Sequence, residues 1–295
     1  MTRATTTAAG SVAVAIAVLA LKAVAWWWTG SVALFADALE SVVNVAAAIA
    51  ALAAVRYAAL PADANHPYGH HKAEYFSAVL EGALILAAAF VILNEVWVAV
   101  AERHEATMSW PAAAVALVAT AINALWCRHL FAEGRRLRSP ALLADARHLL
   151  ADVVTSLGVL AGIGLAATTG IWWLDPLMAG LTAVNILASG ARLMRESVGG
   201  LMDEAPSPAA LAEIRAIISR NAEGAIEAHD IRSRHAGRFT FIEFHLVVPA
   251  AMTVEAAHVI TDRVEAALKA ELGEAVITIH VEPEGKAKHS GVVVL

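Results

Sequence analysis

Residues 142–156, LLADARHLLADVVTS, place Asp145, His148 and Asp152 in a segment otherwise apolar enough to cross a bilayer. His148 and Asp152 are four residues apart, so a helix puts them on one face about one turn apart. An ionisable group at membrane depth costs roughly 2.5–3.5 kcal/mol on insertion scales, so such a cluster points to function. Imidazole nitrogen beside carboxylate oxygen suits a divalent transition metal. The other use of such a pair is to staple two helices together.

The chain around this segment has 295 residues, 59% hydrophobic and only 16% charged. An ordinary soluble domain carries roughly 25% charge, so the class is integral membrane protein. One cysteine, Cys127, excludes an internal disulfide and a cysteine-rich metal site. Apolar runs predict six spans, near residues 8–28, 32–57, 75–100, 110–130, 141–168 and 172–193. Lys22 sits near one end of the first run, where it can snorkel to the interface. Thr29-Gly30-Ser31 makes the turn into the second. Arg128, Arg135, Arg136 and Arg138 crowd one inter-span loop, while the opposite loops hold only Arg103. By the positive-inside rule both termini are cytoplasmic. The expected location is the cell membrane, the inner membrane if bacterial, with tryptophans such as Trp27, Trp97 and Trp173 anchoring the outer ends in lipid.

Composition changes near residue 200. Fourteen of the 27 acidic residues and six of the 12 histidines lie from Asp203 onward, whereas all eight tryptophans precede Leu201. Residues 1–200 therefore read as a transmembrane domain and 201–285 as a polar, His-rich cytoplasmic domain; 286–295 show no pattern. Helical spacing over 208–220 and 253–272, with strands over 226–234, 238–248 and 275–282, predicts an αββαβ order. That order is a small α+β, ferredoxin-like sandwich.

Three constellations carry chemistry. In the membrane, Glu40 and Asn44 of FADALESVVN repeat the four-residue spacing of His148 and Asp152. Two such pairs on facing helices supply four ligands, the number a tetrahedral zinc site takes. Glu40 and Asp152 neutralise a divalent ion, and without the ion the same groups take up protons. Asp37 and Asp145, one turn earlier, read as groups that brace the ligands or line the path. In the loop after the second span, Asp63, His66 and His70 form a compact O,N,N set, with His71 less well placed. In the polar domain the core-facing alternation Ile242, Phe244, Leu246, Val248 turns His245 and Glu243 to the other side. Ile277, Ile279 and Val281 do the same for His280 and Glu282, and His229 and His258 are available to join them. His235 has no assigned role.

Taken together, AWWWTGSVALFADALES, NHPYGHHKAE, ADARHLLADVVTS and HDIRSR…FIEFHL…VITIHVEP resemble the motifs of the cation diffusion facilitator family, in family order over residues 10–283. The resemblance implies a homodimer of six-helix subunits whose cytoplasmic domains dock, exporting a divalent cation against proton entry by alternating access. It implies a transport site of Glu40, Asn44, His148 and Asp152, a loop site of Asp63, His66 and His70, and a domain site of His229, His245, His258, His280 and Glu282. It also implies an interdomain pair, Lys72 and Asp203. Zinc exporters of the family usually carry Asp or His followed by Asp where this chain has Glu40 and Asn44. That difference in charge and reach bears on the choice among Zn, Mn, Fe, Co and Cd, of which zinc is expected first.

The alternative reading is a membrane metal sensor or scaffold that binds without transporting. An intramembrane metalloenzyme is disfavoured, because no HExxH and no nucleophile–base pair occurs. No cofactor is expected beyond divalent metal as substrate or ligand. Nucleic acid is not an expected partner, since the polar domain carries more acids than bases.

Overall fold

The computed structural model describes residues 3–29, 32–102, 110–171, 173–288 and 291–293. Some helical side chains lie outside that description, including those of residues 32–40, and so Asp37 and Glu40. The turn residues Gly30 and Ser31 fall outside it as well. The chain divides into two compact units, Met1–Val198 and Gly199–Leu295.

The first unit contains six long helices: α1 Arg3–Thr29, α2 Val32–Ala58, α3 Ala73–Glu102, α4 Trp110–Leu137, α5 Pro140–Thr169 and α6 Leu174–Leu201, whose last residues run into the second unit. Among the described residues, four stretches are long and apolar enough to cross a membrane: Arg3–Val24, Ala73–Glu102, Ala113–Leu137 and Pro176–Leu201. α2 and α5, which carry the polar pairs, run to 27 and 30 residues. Helices α1, α2, α4 and α5 share a core built on Ala8, Ala51, Val55, Cys127, Leu130 and Leu142. A second cluster, Ala78, Ile85, Ala144, Ile186 and Leu193, ties α3 and α6 to α5. Alanines recur in both, at Ala8, Ala51, Ala141 and Ala146 in the first and Ala78, Ala89 and Ala144 in the second, as expected where helices associate by close packing rather than by expelling water. Large apolar side chains such as Phe90, Trp97, Leu125 and Leu181 face outward, where lipid solvates them. Lys22 differs from its expected snorkelling position, for it is buried within the bundle.

Glycine sets the approach of α3 and α6. A Cβ on Gly190 would sit 2.8 Å from Ile85 Cγ2 and 3.2 Å from Leu86 Cδ2, with no gap to receive it.

The second unit runs α7 Pro208–Asn221, β1 Glu227–Ala236, β2 Phe239–Val248, α8 Val254–Leu272 and β3 Ala275–Pro283. Ser207 and Thr253 cap the two helices, accepting hydrogen bonds from Ala210 N and Ala256 N. Gly273, at φ 79°, ends α8. The sheet order is β3-β2-β1-β4, where β4 is only Val292–Val293, in the stretch for which the sequence offered no pattern. β2 pairs antiparallel to β1 and parallel to β3. One face packs Ile242, Phe244 and Leu246 against Ile217 of α7 and Val264 and Leu268 of α8. Ile277 and Ile279 join this core from the edge strand, while Val281 remains 40% exposed. The opposite face of β2 carries Glu243 and His245 between Phe241 and Val247.

Gly190→Leu should overpack the α3–α6 contact at a cost of about 1–3 kcal/mol. Thermal unfolding of the detergent-solubilised protein should show a lower Tm, partly restored by Ile85→Ala in the same chain. No recovery in the double variant would mean that the two helices do not meet here.

Candidate metal sites

The membrane cluster is organised by one amide. Asn44 Nδ2 of α2 donates to Asp152 Oδ2 of α5, and His148 Nε2, 2.7 Å from Asn44 Oδ1, donates to it. The amide oxygen has no hydrogen to give, so His148 carries its proton on Nε2. Flipping the amide would set its oxygen against the Asp152 carboxylate, which fixes the orientation as well. His148 Nδ1 and Asp145 Oδ2 are buried and make no hydrogen bond among the described residues. Asp145 is held by Ser11 of α1, whose hydroxyl also accepts from Trp126 Nε1 of α4 at 2.9 Å. Asn44, Asp145 and His148 line a cavity of about 10 Å³, room for a single water. Thus Asn44, His148 and Asp152 meet, Asp145 is beside them, and Glu40 and Asp37 lie outside the described side chains. Sequence reasoning passed over Glu81 of α3, which is fully buried, bonded to Ser77, and has one oxygen without a partner among the described residues. Its signal was available: a lone carboxylate inside the apolar run AVLEGALIL.

In the α2–α3 loop Asp63 is the organiser. Its Oδ1 accepts from Asn65 N at 2.9 Å and His66 N at 2.7 Å and lies 3.1 Å from His66 Nδ1. Its Oδ2 lies 3.3 Å from His70 Nε2. The His66 backbone N–H, foremost among these bonds, holds the Asp63 carboxyl below its ordinary range. A ligand atom from each of Asp63, His66 and His70 falls within 4.8 Å of the others. His70 is buried, stacked edge-on against Tyr57, and its Nδ1 has no hydrogen bond among the described residues.

In the sheet, register builds the third cluster. His229 of β1 stands opposite His245 of β2, and His245 stands opposite His280 of β3. Three histidines therefore occupy one rung, with ring centroids 5.3 and 4.9 Å apart. Glu282 reaches into the row: its oxygens lie 3.2 Å from His229 Nε2, 3.3 Å from His245 Nδ1 and 3.7 Å from His280 Nε2. His245 Nδ1 is buried and forms no hydrogen bond among the described residues despite that closeness, so the groups converge on a point rather than on each other. A bulge between His229 and Arg232, with Asp230 at φ 52°, interrupts the alternation of β1. It brings Asp230 within ligand range of His229 and His245. Asp230 was not legible beforehand, because the bulge breaks the period-two reading there. Glu227, two residues before His229 and so on its face, was legible but passed over, and it braces His229 Nδ1 at 2.9 Å.

His258 does not join this cluster within the chain. It lies on the exposed side of α8, 3.6 Å from Asp262, and α8 covers the opposite, apolar face of the sheet. His235 bonds Thr240 across the β1–β2 hairpin. Asp203 pairs with Arg234 of its own unit at 3.3 Å, and Lys72 lies in the other unit.

Residues 9–202 match the model of the cation efflux transmembrane domain, and 206–284 that of the cation efflux protein cytoplasmic domain. The chain belongs to the cation diffusion facilitator family. Two similar family members are the uncharacterized transporter sll1263 of Synechocystis sp. and the cation-efflux pump FieF of Shewanella oneidensis. The first is 40% identical over 92% of this chain and 88% of the relative. The second is 32% identical over 92% of each. A solved structure of CzrB in its Zn form is 44% identical over 29% of this chain and 98% of that one, at a TM-score of 0.28. As a cation diffusion facilitator the protein is a multi-pass membrane transporter with a cytoplasmic domain, and not an enzyme.

Asn44→Asp should remove the donor to Asp152 and face it with a second carboxylate. Two such charges 4 Å apart repel by about 4 kcal/mol at an effective dielectric of about 20. The variant's Tm at neutral pH should therefore fall when chelator is present and recover with Zn²⁺. An unchanged Tm in chelator would show that Asn44 does not hold Asp152.

Proposed function

We propose that this cation diffusion facilitator exports a divalent transition metal, zinc foremost, from the cytoplasm in exchange for protons by alternating access. The observation that carries the reading is the Asn44 amide, which ties His148 to Asp152 across two helices beside a small cavity that Asn44, Asp145 and His148 line. The metal takes His148 nitrogen, Asp152 oxygen, Asn44 carbonyl and Glu40 as ligands, replacing the internal hydrogen bonds. When it leaves, protons or the Asn44 amide compensate the carboxylate charge, because a bare carboxylate is costly in low dielectric. Asp145 and Glu81 lie on the proton route. Imidazole and carboxylate donors together favour zinc among the available cations, and the pump FieF is named for cation efflux.

Six spans, an αββαβ ferredoxin-like cytoplasmic domain and cytoplasmic termini complete the architecture. Residues 286–295 belong with that domain through β4. The second matched domain is named for dimerisation, which supports a homodimer. Asp63, His66 and His70 bind a second ion at the cytoplasmic surface. His229, His245, His280 and Glu282 bind metal in the cytoplasmic domain.

A sensor that binds without moving metal is the competing reading, motivated by how firmly Asn44 closes the site. Flux separates the two. With a proton gradient imposed, reconstituted wild-type protein should move Zn²⁺ in the direction opposite to proton flow, and His148→Ala or Asp152→Ala should reduce that flux at least 100-fold while the dimer persists. Normal flux in an intact dimer of either variant would refute the site; binding without wild-type flux of Zn, Mn, Fe, Co or Cd would favour the sensor.

A further inference from the structure

After β3 the chain makes a 3-10 turn at Glu284–Lys286 and returns to the histidine row. Lys288 makes two separate attachments there. Its backbone N–H donates to Glu227 Oε1 at 2.8 Å, and its ammonium donates to both oxygens of Asp230 at 2.8 and 2.7 Å. Beyond it, Gly291 lies where a Cβ would stand 2.5 Å from Ala228 O and 3.1 Å from His229 Cβ, so only glycine allows this approach. Val292 and Val293 then pair with Ala228 and Glu227. The terminal segment is thus strapped along β1 at the residue before His229. The family match ends at residue 284, so the strap lies outside it.

The carboxylate that Lys288 occupies is one that the histidine row offers to metal. Asp230 Oδ2 lies 4.0 Å from His245 Nδ1, and His229, Asp230 and His245 each present a ligand atom within 4.8 Å of the others. We propose that Lys288 is a built-in competitor for metal at the His229–Asp230–His245 position: its ammonium holds Asp230, and a divalent cation enters by displacing it. This rests on the reading that the cytoplasmic cluster takes metal. An ammonium satisfies the charge of Asp230 but brings only donors, whereas a metal also accepts the lone pairs of two imidazoles. The cation therefore wins, though only above a concentration that the ion pair raises. The pair is about half exposed, so solvent limits the rise to roughly tenfold. Because the Lys288 N–H bond to Glu227 and the β4 pairing do not involve the ammonium, the strap stays docked while the side chain swings away.

The test uses the full chain in detergent, Zn²⁺ as the probe, and carbethoxylation of His245 read by mass spectrometry. His245 belongs to neither the membrane nor the loop cluster, so its protection reports metal at the histidine row, and the effect of Lys288→Met on it reports the part of Asp230 there. Lys288→Met should be half-protected at about tenfold lower Zn²⁺ than wild type, and Lys288→Arg, which retains the cation, at nearly the wild-type concentration. Amide exchange over residues 284–293 should be the same in all three, which separates loss of the charge from loss of the strap. Equal half-protection in Lys288→Met and wild type, or Arg behaving as Met, overturns the competition. Absence of protection in every form overturns both the competition and the metal reading beneath it.

Discussion

A carboxylate and an imidazole placed among apolar helices must find partners, and in this protein one side-chain amide serves both. Asn44 accepts from His148 and donates to Asp152, so α2 and α5 are held in register by the same groups that would bind a cation. The rest of the membrane unit conforms to that bond. Small residues on α1, α2, α4 and α5 let the helices close around it, and Ser11 with Trp126 extends the polar network to α1 and α4. An amide suits the role because it is neutral and bifunctional. It matches a donor to a carboxylate and an acceptor to an imidazole without adding charge in low dielectric.

The same chemistry recurs outside the bundle under different constraints. Asp63 gathers two histidines in a surface loop, where backbone N–H groups, rather than a neighbouring helix, fix the carboxylate. Glu282 gathers three in the cytoplasmic sheet, where strand pairing does the positioning. In both a carboxylate sits between imidazoles, and His70 Nδ1 and His245 Nδ1 are buried without a hydrogen bond among the described residues. Three unrelated local structures thus converge on N and O donors within a few ångströms, the requirement of a divalent transition metal.

Rigidity differs among them. The membrane cluster is pinned between two long helices, whereas the sheet cluster is bounded on one side by a terminal strap carrying its own cation. In the proposed sites, a side-chain cation held by Asp230 would make metal occupancy of the histidine row depend on concentration, whereas a neutral amide between ligands would make it depend on helix arrangement.

The local patterns were decided by sequence alone. Apolar length, the i,i+4 spacing of His148 with Asp152, and the αββαβ order follow from periodicities of 3.6 and 2 that are visible in the chain. So does the compact loop set, because Asp63, His66 and His70 are near neighbours in sequence. Only the tertiary structure decided what those patterns meet. Strand register put His229, His245 and His280 on one rung and left His258 on the far side of α8, since sequence spacing says nothing about which strands pair or where. The bulge at Asp230 and the return of Lys288 were hidden for a related reason. A bulge breaks alternation, and the contact of Lys288 with Asp230 spans 58 residues that no local pattern connects. Glu81 stood in plain view as a charge in an apolar helix, but its burial beside α5 and α6 is a property of packing.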